Sequence, residues 1–350
     1  MKKNRLLVGI LLISGICSCE NEPIEFPDFE YTTTCFPYQY PVRTLVLGDY
    51  VFDNENDNKL KFIISARVGG TYENREDITV GYQIDPGLAA NLATEANLFD
   101  GKVTASSDAL EILPEQYYEL NPDSRFIISK GQFTGGIEVQ LTDAFLDDPK
   151  AVLTRYVLPV RIVSSTTDSI LSGRAIMTPA DPRKSSHWAV LPKDYTIFGI
   201  KYVNAYHGKY LRRGRSVITD NSSNVVETRI IRQKYVEDDE VWGLQTIGRN
   251  KVRVTATLYK TPSSPGKYTM DLAFAAGNTC TVSAADGSAF PVTGTGKFVK
   301  KGDKWGNVDQ DAINLDYVVT EGNYKHAITD TLVFRDKAVT FLEYKPVVLP

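Results

Sequence analysis

From Arg43 onward apolar side chains fall on alternate positions, between turns rich in Gly, Asn and Asp, which is the period-two signature of half-buried strands. Ile137, Val139 and Leu141 alternate with Glu138 and Gln140. Tyr156, Leu158, Val160 and Ile162 alternate with a second set containing Arg161. The same pattern predicts strands over 44–47, 61–68, 78–84 and 125–128, about the number in an immunoglobulin-like sandwich. One short helix is expected, over Leu88–Leu98. Near residue 180 the texture changes: Thr178 to Ser186 carries two prolines, small polar residues and no apolar period, as a domain linker does. Beyond it the strands lengthen. Val252, Val254, Ala256 and Leu258 face one way and Arg253, Thr255, Thr257 and Tyr259 the other, and Leu315, Tyr317 and Val319 repeat the scheme. Such strands joined by short polar turns predict an antiparallel meander closing into a barrel. A Gly-x-Tyr triplet at Gly208, Gly266 and Gly322 reads as strand-start chemistry.

The expected fold is therefore all-β: a tether and the start of the first domain over 19–40, an immunoglobulin-like β-sandwich over 41–178, a linker over 179–186, and a lipocalin-like, antiparallel β-barrel domain over 187–350. A length of 350 residues fits two cores better than one.

The first eighteen residues stand apart from that fold. Lys2, Lys3 and Arg5 precede the apolar run Leu6 to Ile16, the order of a secretory signal. The run is too short to span a bilayer, which takes about 20 residues. Small residues then lead to Cys17 and Cys19, and Ser18 before Cys19 suits a small-residue cleavage pocket better than Ile16 before Cys17. Cys19 is thus the expected acylated N-terminus, with ordinary signal cleavage as the alternative. Lipid attachment implies a peripheral protein, held on a membrane by its anchor alone. Removal of Lys2, Lys3 and Arg5 would take the formal charge from −4 to −7, which argues against nucleic acid as a partner. Glu20, Glu22, Glu25, Asp28 and Glu30 then form an acidic tether. Cys35 and Cys280 remain, too few for a disulfide framework or a metal site, and are expected to be buried small residues.

Chemistry-bearing motifs are sparse. Asp53 to Asn58 puts oxygen ligands on alternate positions like the opening of a calcium loop, but Asn58 and Ile64 occupy the places of its turn residue and its closing carboxylate. A polar hairpin explains the run better. His187, His207 and His326 show no metalloprotease spacing, and no Gly-x-Ser-x-Gly elbow is present. No metal, cofactor or catalytic residue is assigned, and the reading is non-enzymatic. Aromatic residues, 11% of the chain, are the remaining signal, because an exposed ring can stack on the apolar C–H face of a sugar. Trp188, Tyr206, His207, Trp242 and Trp305 are the contact candidates. The stretch KYVNAYHGKYLRRG over 201–214 concentrates such residues. It reads mainly as an architectural corner, in which His207–Gly208 bends the chain into Tyr210 and an Arg212-Arg213-Gly214 turn. In the other reading of the stretch, His207, Arg212 and Arg213 donate hydrogen bonds to an acidic or heavily hydroxylated glycan.

FPYQYPVRTLVLG at 36–48, VGGTYENRED at 68–77, VQLTDAFLDDP at 139–149 and YVLPVRI at 156–162 resemble the N-terminal domain of a family of Bacteroidota surface lipoproteins. KYVNAYHGKYLRRG and WGNVDQDAINLDY at 305–317 resemble its frequent C-terminal companion, a domain of unknown function. The resemblance implies a product of a polysaccharide utilisation locus beside SusC/SusD-type importers: a cell-surface protein that captures poly- or oligosaccharide, with the sandwich as spacer and the barrel presenting the ligand surface. It transfers no binding residue. Two other roles stay open, a glycan-active hydrolase or its inactive relative, and an adhesin-like subunit that binds a protein such as the importer.

Overall fold

A computed structural model of the chain describes residues 29, 31–94, 109–259 and 265–349. Cys19, the signal segment and most of the tether lie outside the described residues. The rest is almost entirely strand, arranged as a two-sheet sandwich and a closed barrel.

One sheet of the sandwich runs, in spatial order, Ser169–Ile170, Thr33–Cys35, Lys61–Gly69, Thr134–Leu141 and Tyr118–Leu120. The other runs Leu342–Glu343, Pro41–Val46, Tyr195–Val203, Tyr156–Ser165, Ile78–Ile84 and Arg125–Ile128. The alternation read from sequence holds in detail: Phe62, Ile64, Ala66 and Val68 are buried while Ile63, Ser65 and Arg67 are exposed. Phe36, Leu45, Ile128, Ile137, Val139, Phe145, Leu158 and Tyr202 fill the space between the sheets. The helix expected over Leu88–Leu98 is replaced, as far as Thr94, by a 3-10 turn at Pro86–Leu88 and a strand at Leu92–Thr94. That strand pairs with Pro346–Val348, and residues 95–98 lie outside the described set.

The expected border between domains does not hold. Tyr195–Val203, placed by sequence in the second domain, is a central strand of the sandwich. It pairs in parallel with Pro41–Val46 and antiparallel with Tyr156–Ser165. The residues expected as a linker instead pack on the first domain: Arg183 bonds Asp181 and donates to the Leu88 and Ala90 carbonyls. The C-terminal segment also returns to the sandwich, through Leu342–Glu343 and Pro346–Val348. The barrel is therefore an insertion between two strands of the sandwich domain, occupying roughly the residues from Ala205 to Ala338.

The barrel is a meander of Gly208–Thr219, Glu240–Gly248, Lys251–Tyr259, Pro265–Phe274, Thr279–Ala284, Val292–Trp305, Val308–Glu321 and Tyr324–Asp336. The last strand pairs with the first from Lys209↔Asp336 to Thr219↔Lys325 and closes the sheet on itself. Val225–Ile231 adds a hairpin arm to the outer end of the first strand. Eight strands leave an interior that side chains can fill, and Tyr210, Trp242, Tyr268, Met270, Leu315, Tyr317 and Leu332 fill it here.

Candidate functional site

The stretch 201–214 is the joint where the chain passes from sandwich to barrel. Asn204, 1% exposed, ends the sandwich strand. Its amide nitrogen donates to the Gly248 and Lys251 carbonyls of the hairpin between the second and third barrel strands, and its backbone N–H donates to Thr246 Oγ1. Gly208 then turns at φ +147°, where a Cβ would meet the Asp336 carbonyl oxygen at 2.5 Å, so the bend read from sequence is real and needs glycine. The Arg212-Arg213-Gly214 turn is not: those residues continue the strand Gly208–Thr219, each paired with the last barrel strand, Tyr324–Asp336. A β-strand throws successive side chains to opposite faces, and Arg212 points into the barrel while Arg213 points out.

Arg212, 1% exposed, heads a polar chain inside the barrel. Its Nε donates to Asp330 Oδ2 at 3.0 Å and a terminal nitrogen donates to Glu240 Oε2 at 3.1 Å. Its guanidinium carbon lies 4.3 Å from the centre of the Trp242 ring. Tyr317 donates to Asp330 Oδ2 at 2.7 Å, and the Tyr268 and Tyr317 hydroxyls share a hydrogen bond of 2.8 Å. Burial raises the Asp330 carboxyl's pKa against the pull of Arg212 and the Tyr317 hydrogen bond. This network organises the core of the barrel and leaves Arg212 no access to a ligand.

The five contact candidates do not converge. Trp242 is core, 3% exposed, which removes it as a stacking platform. Tyr206 stacks on Phe274 with ring centres 3.6 Å apart and meets Phe298 edge-on, so its ring faces are committed to the protein. His207 Nδ1 accepts the Thr246 N–H at 3.1 Å. Burial first, then the cations Lys337 and Lys201, push its pKa down to about 4, and the ring is neutral. Trp188 is half-buried at the sandwich periphery and donates Nε1 to the Asp181 carbonyl. Trp305 donates to the Phe334 carbonyl at the far end of the long barrel hairpin. Cys35 and Cys280 are buried and free, with burial raising both thiols' pKa values and that of Cys280 to about 12.

The structure assembles a different site where the barrel meets the sandwich. Two adjoining cavities, of about 480 and 670 Å³, share Tyr50, Phe52, Val339 and Thr340 in their walls. The first opens between the sheets of the sandwich, and the second lies against the barrel wall. Exposed rings rim them: Tyr38 and Phe341, 49% and 65% exposed, with centres 5.3 Å apart, and Phe52, 69% exposed, edge-on to Tyr50 at 5.4 Å. The floor is polar. Arg43, Thr44 and Thr196 line the first cavity; Arg43 Nε, Thr44 Oγ1 and Thr196 Oγ1 are buried without a hydrogen-bond partner among the described residues, while the Arg43 side chain as a whole is 42% exposed. Asp57, from the acidic run weighed as a calcium loop, is consumed structurally: it pairs with Arg43 and accepts the Val46 N–H. Lys300 bridges the second cavity to Asp49 at 2.5 Å.

Sequence reading missed these rings because it weighed tryptophans and one dense motif. Signals were present nonetheless: Val51-Phe52 is an apolar pair at the mouth of a polar turn, and Tyr38 lies between two prolines.

A crystallised structural-genomics protein of unknown function from Bacteroides ovatus is 35% identical to this chain, which covers 100% of it at 91% of its own length with a TM-score of 0.82. The chain belongs to that Bacteroides family. Two family models divide the family's plan much as the fold does: one described as an N-terminal domain matches residues 29–169, and the domain of unknown function DUF5627 matches residues 205–338, the inserted barrel. Two other B. ovatus structures are distant likenesses. A multidomain protein including DUF1735 is 13% identical with a TM-score of 0.45, and a protein of unknown function is 14% identical with a TM-score of 0.43. Each match covers 89% of this chain and 97% of the other. No curated protein matches the chain.

Proposed function

We propose that this family member is a lipid-anchored, cell-surface protein that captures poly- or oligosaccharide without catalysis, in the groove where barrel meets sandwich. The observation that carries the reading is the pairing of exposed rings with the part-exposed Arg43 side chain in one groove. A sugar ring offers an apolar C–H face to Tyr38, Phe52 or Phe341, and its hydroxyls can bond the exposed part of the Arg43 side chain, 42% of which is accessible. Such a combination of apolar wall and few fixed polar groups is typical of small-molecule sites. The signal sequence with Cys19 supports an outer-membrane location, and in a polysaccharide utilisation system a SusC/SusD-type importer would be the natural receiver of the captured glycan.

Affinity electrophoresis through gels loaded with neutral polysaccharides tests the proposal. At least one glycan class should retard the protein, and Phe341→Ala with Phe52→Ala should abolish the retardation while leaving the melting temperature within a few degrees. Mobility unchanged by every neutral glycan, or retardation that survives both substitutions, would reject it.

A further inference from the structure

We infer that the outer wall of the barrel carries a second binding site, for an anionic saccharide bearing sulfate or carboxylate groups. It rests on the glycan-capture reading but uses a surface separate from the groove. Because Arg212 and Asp330 point into the barrel, Arg213, Arg215, Thr329 and Thr331 point out. Strand register sets them in two rows. Arg213 lies opposite Thr331, which lies opposite Asn314. Arg215 lies opposite Thr329 on one side and the exposed Ile230 on the other. With Arg232, just past the hairpin arm, these side chains line a cavity of about 450 Å³.

Three guanidinium groups on one concavity run against the overall charge of −4. Arg213 is held by Asp239, whose Oδ2 accepts its Nε at 2.8 Å while Oδ1 accepts the Gln233 N–H at 2.6 Å. Among the described residues no ion pair or hydrogen bond engages the Arg215 or Arg232 side chains. Two free planar forks beside a fixed one suit the paired oxygens of a sulfate ester or a uronate. The Thr331 hydroxyl donates to Asn314 Oδ1 at 3.0 Å, which leaves the Asn314 amide hydrogens for neighbouring sugar hydroxyls. Nucleic acid fits less well, since duplex binding typically takes about 6–10 phosphate contacts and this concavity offers only Arg213, Arg215 and Arg232.

The test compares binding of dextran sulfate, polygalacturonate and unmodified dextran by the purified protein at fixed ionic strength. One or both anionic polymers should bind more tightly than dextran, the stronger naming sulfate or carboxylate as the ligand group. Arg215→Gln with Arg232→Gln should weaken that binding at least tenfold. The control Lys297→Gln with Lys325→Gln, which removes two exposed cations elsewhere on the barrel, should leave it unchanged. Failure of both anionic polymers to bind would overturn the inference, as would equal loss in the control or equal binding of a DNA duplex. If neutral glycans are still held through Phe341 and Phe52 in that case, the groove reading stands and the anionic site alone falls.

Discussion

Lys337 Nζ donates to the carbonyl of Ala205 at 2.6 Å, so the residue that leaves the barrel holds the residue that enters it. The lysine is 4% exposed. Burial lowers its pKa from the ordinary 10.5 to about 8, against the opposing pull of Asp311 and Asp49. Between those values the unfolded chain binds the proton that the folded chain has released, so stability rises with pH across the window. The stability difference between wild type and Lys337→Met, measured by urea unfolding, should shift in favour of wild type from pH 8 to pH 10. A difference that stays constant over that range would show that the ammonium is not buried as described.

His207 gives the opposite end of the pH scale. Its ring is neutral when folded, with a pKa near 4 against an ordinary 6.5, so the unfolded state gains a proton first as the medium is acidified. The stabilisation is full above pH 6.5 and is lost as pH falls towards 4. His207→Gln keeps a hydrogen-bonding side chain but does not titrate. Its unfolding midpoint should therefore fall less steeply than wild type between pH 6.5 and 4.5, and parallel acid profiles would refute the assignment.

Inside the barrel, Arg212 and Asp330 are 1% and 0% exposed at their side chains. Removing one member of a buried pair strands the other charge, at about 3–5 kcal/mol, whereas replacing both with apolar groups is often close to neutral. Asp330→Leu alone should be strongly destabilising in urea melts, and Arg212→Met with Asp330→Leu should recover most of the loss. If the double variant is as unstable as the single one, the hydroxyls of Tyr317 and Tyr268 matter more to the barrel than the ion pair.

The period-two pattern was enough to read both β modules, because each strand has one buried and one solvated face and alternation reports that difference directly. It revealed the barrel strands from Val252 onward and the bend at Gly208, where backbone conformation restricts the residue type. Connectivity was less legible. Tyr195–Val203 alternates equally well as a barrel strand or a sandwich strand, and nothing local records that its parallel partner is Pro41–Val46, some 150 residues earlier. The proline-rich stretch before it looked like a linker because prolines mark irregular backbone whether or not a domain ends there. The groove was hidden for a related reason: Tyr38, Phe52 and Phe341 come from three distant segments, and only the return of the C-terminus brings them together. Dense motifs misled where packing consumed them, as with Trp242 under Arg212 and Tyr206 on Phe274.

That return is itself open to test. Tyr344, 8% exposed, donates its hydroxyl to the Ile197 carbonyl at 2.8 Å and meets Tyr40 edge-on at 5.5 Å. It belongs to a small core with Val42, Leu92, Val157 and Tyr195, separate from the main sandwich core. Loss of a large buried ring typically costs about 3–5 kcal/mol, and loss of one hydrogen bond about 1 kcal/mol. Tyr344→Ala should therefore destabilise far more than Tyr344→Phe. Because the tail also ties the barrel's exit back to the sandwich, wild type should melt in one calorimetric transition, and a chain ending at Thr340 should melt in two. A single transition in the truncated chain would mean that the joint at Asn204 and Lys337 couples the modules without the strap.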